Sequence, residues 1–247
     1  MISDPLVTII TSVYNGENHL EQCIHSVISQ DYKKIEYIVI DGGSTDNSCE
    51  IIKRNSQYID YWVSEPDDGI YNAWNKGLKK ANGDLIAFLG ADDYYESYAI
   101  STMVKEWKKK PNVEYLCFKV KQIDTKGRQV RIVGKKWNWK DFSKFMNTAH
   151  VGSMHNKLLF ELYGVFDESF RIAGDYEFLL RSKSKLKVKY IPHVLCTMRV
   201  GGASSSSFKI FKENAKAKRK HTNKSSLEIF FEEIIAGLKW IIKRTFQ

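Results

Sequence analysis

Residues 83 to 93 read GDLIAFLGADD, with Leu85 to Leu89 forming an unbroken apolar run between the turn formers Asn82-Gly83 and Gly90. An apolar run without alternation suits a strand covered on both faces. Its exit delivers Asp92 and Asp93 at the carboxyl end of that strand, where open α/β sheets bind ligands. Neighbouring like charges are favourable mainly where a cation or hydrogen-bond donors compensate them. Short acidic side chains also build Asx turns and helix caps, so the pair alone does not separate a site from a turn.

Working back towards the first residue, the same grammar repeats. Leu6 to Val13 is rich in β-branched residues and reads as a buried strand ending at Tyr14-Asn15-Gly16; Leu20, Cys23, Ile24, Val27 and Ile28 then share one helical face. Ile35 to Ile40 is the next strand, leaving through Asp41-Gly42-Gly43-Ser44-Thr45-Asp46 into a helix carrying Ile51 and Ile52. A short strand is expected at Ile59 to Val63, followed by Glu65-Pro66-Asp67-Asp68-Gly69 and a helix over Ile70 to Ala81. Strand, turn and helix in alternation imply parallel pairing with right-handed crossovers. The strand ends at Tyr14, Asp41, Glu65 and Asp92 therefore share one edge, and each carries polar or acidic groups.

After Asp93 the pattern changes. A helix over Tyr98 to Trp107, strands at Val113 to Ile123 and Val130 to Val133, a helix begun near Gly174 with Phe178 and Leu179, and a late strand at Val188 to Ile191 are expected. Lys135 to Phe145 sets Trp137, Trp139, Phe142 and Phe145 among lysines; it reads as a helix or lid packed on the sheet edge, or else as an acceptor-side wall with exposed rings.

With 247 residues and no linker rich in Pro, Gly or Ser, the chain supports one large domain with at most a small appendage. The formal charge of +9 favours acidic partners without choosing among phosphates, nucleic acid and anionic membrane. Cys23, Cys49, Cys117 and Cys196 form no CxxC pair and read as ordinary thiols of a reducing compartment. The opening MISDPLVTII does not read as a signal peptide, and no run reaches membrane-spanning length. A cytoplasmic setting is expected.

These motifs, in their order and intervals, resemble the family 2 glycosyltransferases: Val13-Tyr14-Asn15, Asp41 to Asp46, Glu65 to Gly77, Ala91-Asp92-Asp93, His150, Gly174-Asp175-Tyr176-Glu177, and Gly201-Gly202-Ala203-Ser204. The resemblance covers roughly residues 6 to 205. It implies the GT-A fold: an α/β, Rossmann-like architecture with a mixed, mainly parallel central sheet, flanking helices and a C-terminal helical tail. The chain divides into a catalytic domain at 1–208 and, where the resemblance has run out, a basic, amphipathic helical extension at 209–247. The resemblance further implies an inverting enzyme that moves a hexose or N-acetylhexosamine from a nucleotide sugar, UDP-linked by preference, to a lipid-linked or soluble glycan in bacterial surface-polysaccharide assembly.

The family's site residues carry over by position. Asp41 matches the acid at the uracil ring, and Asp67 and Asp92 those along the uridine and ribose. Tyr14, Asn15, Asn75 and Lys76 join the donor side. Asp93 matches the carboxylate that reaches the diphosphate through Mn²⁺ or Mg²⁺, a divalent cation being needed where a diphosphate leaves. Ala91 stands where many relatives place a first carboxylate. Asp175 matches the catalytic base, although a helix-capping role also fits its position. His150 matches a histidine on the acceptor or phosphate side, and a hydrogen-bonded structural role fits it equally; His155 and His193 are weaker candidates. Glu177 is expected to support the site, with Arg171 and Arg181 holding the Asp175 segment by salt bridges.

A nucleic-acid-binding protein would fit the charge and the 13 tyrosines, yet the strand-end loops are acidic. A non-catalytic nucleotide-binding scaffold would keep the fold without the chemistry. A dinucleotide oxidoreductase lacks its GxGxxG after the first strand. In the tail, Lys209 to Lys224 is basic, and apolar residues from Leu227 to Ile242 recur at offsets of three and four, interrupted by Glu232, Glu233, Lys239 and Lys243. That helix either packs against the domain or a second subunit, giving a homodimer, or lies on an anionic membrane surface at the cytoplasmic face of the inner membrane.

Overall fold

The computed structural model describes residues 3–201 and 208–245. Four strands, β1 (Val7–Val13), β2 (Ile35–Asp41), β3 (Tyr61–Ser64) and β4 (Leu85–Gly90), pair in parallel in the order β3-β2-β1-β4. Helices α1 (Leu20–Ile28), α2 (Ser48–Arg54) and α3 (Ile70–Leu78) make the crossovers. The four strand ends thus do lie on one edge, as the repeated grammar requires.

Alternation along β1 and β4 divides the core. Val7, Ile9, Val13, Leu85 and Leu89 face one buried cluster, with α1 and α4 (Ala99–Lys108) packed over it. Ile10, Ile86 and Phe88 face a second cluster, covered by α3 and α7 (Gly174–Arg181). Burial on both faces is what removes polar alternation from these strands.

The second half adds β5 (Tyr94–Tyr95), β6 (Tyr115–Ile123), β7 (Gln129–Val133), β8 (Met154–Asn156) and β9 (Val188–Arg199). The sheet continues from β4 through β8, β6 and β9 to β5, with β7 on β6. β8 is antiparallel to β4 and to β6, so the sheet is mixed. β9 runs on to Arg199, well past the expected Ile191, because its register against β6 slips at Pro192-His193 and then resumes. A proline has no N–H for the ladder, and a bulge accommodates it. β5 pairs with Cys196 and Thr197 of β9, which brings the end of that strand beside Asp93.

The aromatic segment forms only a four-residue helix, α5 (Trp139–Phe142). Phe142 is fully buried against Trp137 and Tyr176, and the other rings are half-buried, so no wall of exposed rings exists. After α6 (Leu158–Tyr163) and α7, the chain ends in an antiparallel hairpin of α8 (Lys209–His221) and α9 (Ser226–Thr245). α8 packs on α7, and its Ala217 is part of the second core cluster. On α9 Ile229 is fully buried, but the broad apolar side does not pack on the domain, contrary to one expectation: Phe230, Phe231, Ile234 and Leu238 are all exposed.

Candidate active site

The loops after β1 and β2 are laced together. Asn15, with positive φ, accepts from the Thr45 N–H at 2.8 Å and donates its own N–H to Ser44 Oγ at 2.8 Å; Gly16 N–H reaches Ser48 Oγ, and Glu17 N–H reaches Asp46. Tyr14 stands exposed beside this lacing. Asp41, at the end of β2, is completely buried. Its carboxylate accepts from Gly43 N–H, Ser44 N–H, Ser44 Oγ and Ser64 Oγ. Burial opposes its ionisation, but those donors, led by Ser44 and Ser64, outweigh it and hold the pKa below the usual carboxylate value.

Asp67 is fixed by the Gly69 N–H at 2.8 Å and presses against Gly42, where an added Cβ would stand 2.4 Å from Asp67 Oδ2. Glycine at 42 is therefore what lets the β2 and β3 loops meet. Lys76 holds the same loop from behind, paired with Glu65 at 2.9 Å and donating to Pro66 O at 2.9 Å. Asn75 departs from its expected donor role. It is buried, and its amide is taken up by Phe166 N–H, Phe166 O and Glu168.

Asp92 and Asp93 turn back over the end of β4: a Cβ on Gly90 would lie 3.0 Å from an oxygen of each. Asp93 is buried, with Arg199 N–H on its Oδ1 at 3.1 Å. Burial and then the Asp92 charge push its pKa well up, so this carboxylate carries charge readily only beside a cation. Among the described residues no group of three or more His, Cys, Asp or Glu is arranged to hold a metal. Two adjacent carboxylates still suit Mg²⁺ or Mn²⁺, which are commonly held by one or two carboxylates together with substrate phosphates. Gly202, Ala203 and Ser204 of the expected motif lie outside the described residues.

Asp175 sits in the first turn of α7, after the cap residue Ala173. It is joined to the strand-end edge by Tyr71 of α3, whose hydroxyl donates to Ile172 O at 2.8 Å and Asp175 Oδ1 at 3.3 Å. Tyr71 lies flat against Gly174, where a Cβ would meet the ring at 2.8 Å. Asp175 Oδ1 also accepts from the Tyr176 N–H. Burial, with a smaller contribution from the Glu213 charge, raises the Asp175 pKa to about 6. The segment before it is held by Glu213 of α8, whose carboxylate accepts from the N–H groups of Arg171, Ile172 and Ala173 at 3.0, 2.8 and 2.8 Å.

Glu177, in the same first turn, is fully buried. It pairs with Arg181 at 2.5 Å and His221 at 2.6 Å, so Arg181 does fasten the segment, through Glu177. Arg171 lies instead against Gly69, its guanidinium 3.0 Å from a Cβ built there.

His150 is inside the protein, stacked on Trp74 with ring centroids 5.3 Å apart. Burial, with His155 nearby, holds it neutral; it can offer one N–H but no charge to a phosphate. Its Nε2 has no partner among the described residues. His155 is equally buried and bonds Ile86 O through Nδ1, while His193 is exposed at the β9 bulge. Sequence reading assigned no role to Tyr71, Arg199 or Glu213. Tyr71 stands within a quoted motif, whereas Arg199 and Glu213 reach the site from 106 and about 40 residues away and leave no local signal.

Comparison with known proteins gives consistent matches. The model of glycosyl transferase family 2 matches residues 8–163. Chondroitin synthase of Pasteurella multocida is 27% identical over 212 residues, covering 83% of this chain and 22% of that protein. An uncharacterized glycosyltransferase of Mycobacterium tuberculosis is 32% identical over 211 residues, 83% of this chain and 79% of that protein. The chain spans 22% and 21% of the length of the Pasteurella chondroitin and hyaluronan synthases. Among solved structures, S. aureus TarS 1–349 in complex with UDP-GlcNAc superposes with TM-score 0.69 at 16% identity, covering 90% of this chain and 69% of that one. The mannosyltransferase PcManGT from Pyrobaculum calidifontis, in complex with GDP-Man and Mn²⁺, gives 0.66 at 19% identity, covering 94% and 69%. The architecture is that of the GT-A fold.

Proposed function

The chain belongs to glycosyl transferase family 2, and from that premise we propose that it is an inverting glycosyltransferase of bacterial surface-polysaccharide synthesis. It moves a hexose or N-acetylhexosamine from a nucleotide sugar, UDP-linked by preference, to a hydroxyl of a lipid-linked or soluble glycan. One observation carries the reading: four parallel strand ends bring Asp41, Asp67, Asp92 and Asp93 to one edge, and Tyr71 ties Asp175 to it. The UDP-GlcNAc of the TarS complex and the GDP-Man with Mn²⁺ of the mannosyltransferase support a donor of this class.

In the proposed mechanism Tyr14, Asn15, Asp41, Asp67 and Asp92 receive the nucleoside. Ring N–H and ribose hydroxyl groups ask for acceptors, which these residues supply. Asp93, with Asp92, would hold a Mg²⁺ or Mn²⁺ ion, which when bound neutralises charge on the leaving diphosphate. Asp175 takes the proton of the acceptor hydroxyl while that oxygen attacks the anomeric carbon from the face opposite the diphosphate. The carbon–oxygen bond to the diphosphate breaks, the nucleoside diphosphate leaves, and the configuration inverts. A pKa of about 6 suits this role, because the residue is ionised at neutral pH yet more basic than an ordinary carboxylate. Tyr71 and Tyr176 both bond Oδ1, so Oδ2 faces neither of them and is assigned to the incoming hydroxyl.

The test is a donor screen on the intact chain, with an acceptor panel, reading release of UDP, GDP or dTDP. Acceptor-dependent release of UDP is the expected result. Failure to bind any nucleotide sugar would favour the non-catalytic scaffold.

A further inference from the structure

We propose that α9 is a membrane-docking surface whose apolar side lies in the headgroup region of a bilayer containing anionic phospholipid. Nothing in this inference depends on the sugar donor or on transfer itself.

The helix buries Ile229 inwards but leaves a wider apolar stripe facing out. At 100° per residue, Leu227, Phe230, Phe231, Ile234, Ile235 and Leu238 fall within an arc of about 140°, and their exposures run from 41% to 64%. The opposite arc, facing the protein, centres on the fully buried Ile229 and is flanked by charge. Glu232 and Glu233 pair with Lys218 at 2.9 and 2.7 Å, and Lys218 is fully buried. Lys224 also pairs with Glu232, and Trp240 packs on Phe208. Amphipathic helices of water-soluble domains turn the apolar stripe to the core and the charges to solvent. Here Ile229 and the flanking ion cluster turn inwards and the wider stripe turns outwards, which is favourable when that stripe meets another apolar phase.

Charge selects that phase. Lys212 and Arg219 are exposed on the neighbouring α8, where Lys216 donates to Ser169 and Lys220 pairs with Asp167 at 2.9 Å, and the chain as a whole carries a formal +9. A second copy would bring the same positive charge, whereas anionic lipid brings the opposite one. No described helix is long and apolar enough to cross a membrane, so the geometry is that of a helix lying in the interface. The surface connects to the candidate site, since Glu213 on α8 caps the segment leading into Asp175. Docking there brings that segment close to acceptors carried on lipid.

The experiment is flotation of the full chain with vesicles of phosphatidylcholine alone or mixed with phosphatidylglycerol. Co-flotation with the mixed vesicles at low salt is expected. It should fall roughly tenfold on pure phosphatidylcholine or at 1 M salt, where the screening length is about 3 Å. The variant Ile234→Asp with Leu238→Asp should lose flotation by a similar factor while keeping its near-UV spectrum and Tm, because both side chains are exposed. Lys212→Glu with Arg219→Glu leaves the apolar stripe intact and should weaken binding to mixed vesicles by roughly fivefold or more per charge. The proposal is overturned by equal solubility with both vesicle types, or by flotation that either variant leaves unchanged. It is also overturned by a dimer in sedimentation that the aspartate variant breaks without any flotation of the parent chain. Should the aspartate variant unfold, the charge-reversal variant decides alone.

Discussion

Replacing Asp175 by Asn keeps shape and removes the proposed base, and the structure sets three separable magnitudes for the result. First, positioned proton transfer contributes roughly 10²- to 10⁴-fold in rate, so kcat should fall within that range while donor KM changes little. Second, a base with pKa about 6 is neutral below that pH. Its ionised fraction is about one half at pH 6 and roughly a tenth at pH 5, so wild-type kcat/KM should rise about tenfold from pH 5 to 7.5, and the Asn variant should not follow. A carboxylate at the ordinary value of 3.8 would give a nearly flat profile over that range. Third, the folded pKa is raised above the unfolded one, so ionisation costs the folded state stability. That cost is absent below about pH 4, grows between the two pKa values and is constant above about pH 6. The Asn variant should therefore gain in Tm relative to wild type as pH rises from 4 to 6. Glu213→Gln, which removes a charge that helps raise the Asp175 pKa, should shift the midpoint of the rate profile downwards. The assay is release of nucleoside diphosphate with the active donor and acceptor, across pH. A flat wild-type profile, or an Asn variant retaining more than about a tenth of wild-type turnover, refutes the assignment.

Three further outcomes follow from individual contacts. Asp93→Asn replaces a buried carboxyl whose ionisation the fold disfavours, so at neutral pH it should raise the Tm of the metal-free chain, at roughly 2–4 °C per kcal/mol, while abolishing metal-dependent donor binding in calorimetry. Gly174→Ala puts a methyl 2.8 Å from the Tyr71 ring; it should displace the start of α7 and lower kcat with little change in donor affinity, read by steady-state kinetics. Lys218→Met leaves Glu233 without its partner and Glu232 with Lys224 alone. Loss of one partner in a buried cluster costs about 3–5 kcal/mol, which should appear as a lower Tm and as proteolysis between α8 and α9.

Much of the site was legible because one rule repeats. The unbroken run Leu85 to Leu89 needs cover on both faces, and the alternation of Val7 and Ile9 with Ile10 between two core clusters supplies it. Once β1 to β4 are parallel, their ends must share an edge, and the acidic loops fall together without knowledge of any contact. What sequence did not disclose are the long-range supports. Asn75 stands in the same motif as Asp67, but its amide is consumed by Phe166 and Glu168. A linear motif does not say which way a helix turns its polar residues. Arg199 reaches Asp93 only because β9 continues beyond its proline bulge and pairs with β5.

The α9 helix shows the same limit in its sharpest form. Spacing from Leu227 to Ile242 defines an apolar arc, and the arc would be identical whether it faced the core or the solvent. The deciding information lies elsewhere in the chain. Lys218 is on α8, and its buried amine draws Glu232 and Glu233 inwards on either side of the buried Ile229; the wider apolar arc, on the opposite side of the same helix, then turns outwards. A buried lysine between two adjacent glutamates therefore orients the helix together with Ile229, because an unpaired buried charge costs more than one exposed apolar side chain.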